Sequence, residues 1–179
     1  MHLYEKTVGS RDIYSGRVFR VREDKALLEN GETVSRELIL HGGGVCVVPV
    51  NEKGEVLMVR QFRYPFGQPL LEVPAGKLEA GEGRAECGRR ELLEEVGAEA
   101  SEYEYMGVMY PSPAYLNEQI HIYLAGGLTY SEQRLDDDEF LDVVKLPLSE
   151  AVEMVMRNEI FDAKTKLALL MADKKLSGR

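Results

Sequence analysis

The sequence predicts an α/β protein, a single domain preceded by a β-structured arm. Short strand-like runs broken by Asn-Gly or single-glycine turns fill residues 6 to 73. A carboxylate-rich helical stretch then follows a Pro-Ala-Gly turn, and two amphipathic helical stretches come late in the chain.

The arm comprises residues 6 to 40. Its runs VFRVREDKALL and TVSRELIL flank Glu29-Asn30-Gly31-Glu32, where Asn-Gly supplies the positive φ angles of a tight hairpin. Arg36 and Glu37 sit late in the second run and, taken alone, read as an exposed cross-strand charge pair. Val45 to Val50 and Val56 to Arg60, joined by Asn51-Glu52-Lys53-Gly54-Glu55, predict a second hairpin. The run VCVVPV is apolar throughout, as a strand buried on both faces would be. Pro65 stops the following segment, which leaves Arg63 at a strand end where it can reach a ligand. Leu70 to Val73 is a short strand, and Pro74-Ala75-Gly76 turns the chain into a helix from near Gly83 to near Val96, capped by Gly97. Ala85, Leu92 and Val96 should face the core, with the acids on the outer face.

Tyr103 to Tyr110 and Ile120 to Leu124 are the next strands, around a two-proline loop at 111 to 118. Asp136-Asp137-Asp138-Glu139 reads by itself as a solvated loop before the apolar pattern of Phe140 to Leu146. Leu148 to Arg157 is helical with Ser149 as N-cap, and Phe161 to Lys175 is helical with Ala163, Leu167, Leu170 and Met171 as its apolar stripe.

Composition narrows the function classes. With 179 residues, 44% hydrophobic and 30% charged, the chain is an ordinary globular protein. It lacks an apolar run of roughly 18 residues and a signal-peptide core, so no membrane partner is expected and the cytoplasm is the expected compartment. A net charge of -9 argues against nucleic acid as a partner. It leaves a phosphorylated small molecule open, because a bound metal and a few arginines reverse the local field. Cys46 and Cys87 read as reduced packing residues, and His2, His41 and His121 are too scattered for a histidine metal site.

The chemistry points to Gly76 to Ala98, GKLEAGEGRAECGRRELLEEVGA. Glu91, Glu94 and Glu95 recur at helical i, i+3 and i+4 spacing, with Glu82 nearby. Such a cluster repels itself unless a cation sits among the groups, and oxygen-only ligands favour a hard divalent ion such as Mg²⁺. The alternative is a solvated helix face.

The full spacing, Gly76, five residues, Glu82, seven residues, Arg90-Glu91-Leu92, one residue, Glu94-Glu95, one residue and Gly97, resembles the Nudix hydrolase signature. Ala98 replaces the usual bulky aliphatic, a change on the packing side. The flanks are similar to the bacterial ADP-ribose pyrophosphatase branch. They include Arg36-Glu37, Val-Arg-Gln-Phe-Arg, Glu72-Val73-Pro74-Ala75-Gly76, Asp137-Asp138-Glu139-Phe140 and Phe161-Asp162-Ala163-Lys164-Thr165. Pro113 stands sixteen residues beyond Gly97, the branch's position for a proline, in Ser112-Pro113-Ala114-Tyr115-Leu116-Asn117-Glu118 rather than S-P-G-F-x-D-E.

The resemblance implies a Nudix α/β/α sandwich around a mixed sheet, with 1–40 as an arm exchanged in a homodimer and 41–179 as the Nudix domain. It implies Mg²⁺-dependent hydrolysis of ADP-ribose to AMP and ribose 5-phosphate, with Mn²⁺ as the other candidate ion. Glu91 and Glu95 become the first metal ligands, joined by the Ala75 carbonyl and by Glu82, Glu94 and Glu139 as further candidates. Arg90 would hold an acid of the cluster such as Glu82, Arg63 would contact phosphate, and Arg36 and Glu37 would reach the nucleotide of the other subunit. Pro113 and Glu118 belong to the substrate loop, and the general base is Glu139 or Asp137, with Glu94 the alternative inside the signature. Competing functions are hydrolysis of another nucleoside diphosphate derivative (a nucleotide sugar such as GDP-mannose, a dinucleoside polyphosphate or an oxidised nucleoside triphosphate) and a non-catalytic ADP-ribose sensor. The sensor would be expected to have damaged acids, and here they are intact.

Overall fold

A computed structural model describes residues 2–135 and 139–178. The chain forms two compact units, one of residues 1–43 and 110–119, the other of 44–109 and 120–179.

The first unit is a three-stranded antiparallel sheet of β1 (Lys6–Ser15), β2 (Phe19–Leu27) and β3 (Thr33–His41). The turn between β2 and β3 uses Gly31 at φ 86°, as the Asn-Gly pair predicts. Segment 110–119 adds to the edge of β3: the Ile39 N–H donates to the Tyr115 carbonyl at 2.8 Å, and the Asn117 N–H to the Ile39 carbonyl at 3.2 Å.

The second unit has a central β layer built from two sheets. One contains β7 (Ala75–Lys77), β4 (Gly44–Pro49), β9 (Ile120–Tyr130) and β8 (Ala98–Met109) in that order, with β4 and β9 parallel and the other pairs antiparallel. The other places β5 (Glu55–Arg63) between β10 (Leu141–Pro147) and β6 (Gln68–Glu72). Alternation along β4 and β5 splits the core in two. Val45, Val47, Leu57 and Val59 pack with Cys87, Leu92 and Val96 of α1 (Arg84–Val96). Cys46, Val48, Val56 and Met58 pack with Leu148, Ala151, Ala168 and Leu169 of α2 (Leu148–Met156) and α3 (Ala163–Leu176). Helices on both faces of a mixed β layer make this unit an α/β/α sandwich.

Four local expectations change. The predicted hairpin of residues 45–60 has its turn, with Gly54 at φ 74°, but only the bridge Val50↔Val56 pairs there. Both edges of β4 are taken by β7 and β9, so β5 passes to the second sheet. On α3 the buried stripe is Thr165, Ala168, Leu169 and Ala172, while Ala163, Leu167 and Leu170 are exposed. Thr165 turns inward because its hydroxyl has partners there, a cue that an apolar-only pattern cannot register. The N-cap of α2 is Pro147 and makes no side-chain cap, so Ser149 lies inside the helix. Ala85 is exposed, whereas Glu91 and Glu95 lie on the buried side of α1.

Candidate active site

The segment β6–β7–α1 delivers the site. Val73 is fully buried, and its N–H donates to the Thr165 hydroxyl at 3.0 Å, pinning the chain just before Pro74. The Glu86 carboxylate accepts from the Gly83 N–H at 3.0 Å and so caps the start of α1. Gly97 ends the helix at φ 66°, a left-handed cap that glycine adopts without strain. Between these points Glu91 and Glu95 lie one turn apart and point back at β7. A Cβ on Gly76 would overlap the Glu91 carboxylate, so glycine is what lets strand and acid approach.

Glu95 is 3% exposed, and among the described residues its carboxylate has one hydrogen-bond donor, the Ala75 N–H at 2.9 Å. Burial pushes its pKa up to about 8, and the charges of Glu91 and Glu139 add to the shift. Glu91, 8% exposed, is also raised, mainly by burial, with Arg90 opposing and Glu94 and Glu139 adding. Glu139 therefore stands close enough for both helix acids to feel its charge. Pairing of β10 with β5 explains its arrival: the ladder ends at Leu141↔Gln61, so Glu139 and Phe140 continue toward the end of β5 that carries Arg63.

Arg90 ties the cluster together. Its Nε–H donates to Glu82 Oε1 at 2.8 Å, and Nη1 donates to Glu91 Oε1 at 2.7 Å and Glu94 Oε2 at 2.9 Å. Nη2 reaches Glu82 Oε2 at 3.1 Å and the Lys77 carbonyl at 3.2 Å. The guanidinium holds the Glu82 carboxyl down to about 2, so Glu82 stays ionised at any working pH.

Arg63 grips Glu72 with two bonds, Nε to Oε1 at 2.6 Å and Nη2 to Oε2 at 2.8 Å. Its charge is also felt by Glu95. Glu72 and its second cation, Lys164, adjoin the candidate residue Arg63, and a reading for exposed chemistry passes over them. The available signal was a single acid within the apolar run Leu70-Leu71-Glu72-Val73.

The remaining candidates fall in the first unit. The Arg36 guanidinium is bound by Glu5 at 2.8 and 2.9 Å, and Glu37 lies opposite Glu23 in the ladder. Pro113 is exposed on the 110–119 segment, and Glu118 Oε1 is 3.2 Å from His41 Nδ1. Asp137 lies outside the described residues.

The donor set suits a hard divalent cation. Two buried carboxylates stand side by side on a helix, and for Glu95 a lone amide donor offsets the cost of burial, a deficit that a cation would fill. Among the described residues no three His, Cys, Asp or Glu side chains are gathered tightly enough to hold a metal unaided, and Arg90 bonds both oxygens of Glu82 but only one oxygen each of Glu91 and Glu94. That pattern matches Mg²⁺, which takes one or two carboxylates and completes its shell with water and substrate phosphate.

The α/β/α layers carry a helix whose paired buried carboxylates suit a divalent cation. Residues 40–168 match the NUDIX domain, and the chain belongs to the Nudix family. It is 40% identical over 167 residues to the methanol dehydrogenase activator of Bacillus methanolicus, spanning 92% of this chain and 90% of that one. It is 38% identical over 169 residues to the ADP-ribose pyrophosphatase of Bacillus subtilis strain 168, spanning 93% and 91%. A crystal structure described as an ADP compounds hydrolase shares the fold, with a TM-score of 0.88 at 21% identity over 99% of this chain and 97% of that one.

Proposed function

We propose that the chain hydrolyses the diphosphate of ADP-ribose to AMP and ribose 5-phosphate, as a cytoplasmic homodimer using Mg²⁺ or Mn²⁺. The observation that carries the reading is the buried pair Glu91 and Glu95 beside Glu139, on a signature helix whose relatives include an ADP-ribose pyrophosphatase. Glu91, Glu95 and the carbonyl of Ala75 would hold the ion, with Glu139 a further candidate and Glu82, both of whose oxygens Arg90 holds, reaching it only by changing partner. When bound, the ion supplies neutralisation of diphosphate charge and Lewis acidity.

The chain's own residues supply the rest. Arg90 fixes the rotamers of Glu82, Glu91 and Glu94, so the acids are arranged before substrate arrives. Arg63 spends two of its five N–H groups on Glu72 and presents the others to a phosphate. Water attacks one phosphorus, the bridging P–O bond breaks, and the proton of the attacking water passes to a carboxylate. Glu139 is the base, with Asp137 the loop alternative, because Glu94 is already committed to Arg90. Pro113 and Glu118 shape the sugar end, and Arg36 and Glu37 meet the nucleotide of the other subunit once Arg36 leaves Glu5. Among the described residues no helix is long and apolar enough to cross a membrane.

A substrate panel with Mg²⁺ tests the reading. ADP-ribose should be turned over with the highest kcat/KM against GDP-mannose, a dinucleoside polyphosphate and an oxidised nucleoside triphosphate. Preference for any of these over ADP-ribose would overturn the substrate assignment while leaving the metal helix in place.

A further inference from the structure

A buried Lys sits behind the site. The Lys164 side chain is 12% exposed and the Glu72 side chain 2% exposed, and the Lys164 ammonium donates to Glu72 Oε2, the same oxygen that accepts from Arg63 Nη2. Lys164 also donates to Asp162 Oδ2 at 3.0 Å. Asp162 caps α3 by accepting from the Thr165 N–H at 2.9 Å, and it accepts from the Thr165 hydroxyl at 2.6 Å. That hydroxyl in turn accepts from the Val73 N–H, next to Glu72. Two positive and two negative side chains thus alternate as Asp162, Lys164, Glu72 and Arg63, running from the start of α3 to the guanidinium that Glu95 senses.

Burying a lysine is costly unless it is fully paired, so a chain that needed only an apolar contact at this point would carry a methionine or leucine. The arrangement does something an apolar contact cannot. A carboxylate held from one side only can rotate, and its guanidinium partner rotates with it. Lys164 and Arg63 approach the Glu72 carboxylate as separate donors, and together they lock its plane. With that plane fixed, the Arg63 edge not bonded to Glu72 has one direction.

We infer that Lys164 is a positioning residue: acting through Glu72, it sets the orientation in which Arg63 meets the substrate diphosphate. The inference rests on the proposed phosphate role of Arg63 and adds the two residues that aim it.

A double-mutant cycle tests it. Lys164→Met removes the charge and keeps the stem. It should raise KM for ADP-ribose about tenfold while changing kcat by less than about threefold. In an Arg63→Met background the same substitution should add less than about twofold, because the residue it positions is gone. Equal losses in both backgrounds, or an unchanged KM in Lys164→Met alone, would overturn the inference and make the lysine a packing element. If Lys164→Met does not fold, Glu72→Gln carries the same cycle with the same outcomes. A wild-type chain that does not hydrolyse ADP-ribose would refute the proposed function only. The cycle is then read as affinity for inorganic pyrophosphate by calorimetry, where additivity again refutes the inference and loss of coupling in the Arg63→Met background supports it.

Discussion

Glu95 makes the metal-free protein sensitive to alkali in a calculable way. Its carboxyl ionises with a pKa of about 8 in the folded chain against 4.5 for an unperturbed glutamate. Between those values the folded state holds a proton that the unfolded state has released, so stability falls as pH rises. Below about pH 4.5 both states are protonated and the penalty is absent; above about pH 8 both are ionised and it is complete. At about 1.4 kcal/mol per unit, the full penalty is on the order of 5 kcal/mol, a large share of the stability of a domain this size. Urea unfolding in EDTA at pH 5.5, 6.5, 7.5 and 8.5 measures it, with Glu95→Gln as control. The wild type should lose stability across the series and the variant should lose much less. Adding Mg²⁺ should reverse the slope, because the ion binds the deprotonated acid. A wild-type profile in EDTA that is flat or rises with pH would refute the claim that an uncompensated carboxylate is buried at this site.

Two further predictions concern geometry and proton transfer. Gly76→Ala pushes the Glu91 carboxylate out of its seat, so kcat should fall by about two orders of magnitude or more while the melting temperature moves by only a few degrees. A loss of stability without loss of activity would show that Glu91 does not serve the reaction. Glu139→Gln should lower kcat by about 10² to 10⁴, more than Glu94→Gln or Asp137→Asn do. A larger loss from Glu94→Gln would return the base to the signature helix.

The sequence made α1 legible to within a residue at each end, because its termini are chemical: a glycine cap at Gly97 and an acid three residues after Gly83. Its acids were legible by spacing. Their burial was not, because a helical wheel assigns acids to solvent, and only the approach of Gly76 and the Ala75 N–H shows why Glu91 and Glu95 turn inward. The Asn51–Glu55 turn was read correctly and its pairing was not, since strand partners are fixed by the parallel alignment of β4 with β9, 76 residues away. Glu72 stood out locally as a lone acid in an apolar run, but its pairing with Lys164 was not legible, because partners 92 residues apart in sequence leave no shared pattern.

If the helix from Arg84 to Val96 holds the metal for cleavage of a diphosphate, removing either the metal or Glu95 must stop the reaction. The most direct test incubates the wild type and Glu95→Gln with ADP-ribose, with Mg²⁺ and with EDTA, and quantifies AMP and ribose 5-phosphate. The wild type should give equal amounts of the two products with Mg²⁺ and none above background in EDTA, and folded Glu95→Gln should be slower by orders of magnitude. Wild-type rates from folded Glu95→Gln, or undiminished turnover in EDTA, would contradict that role of the helix.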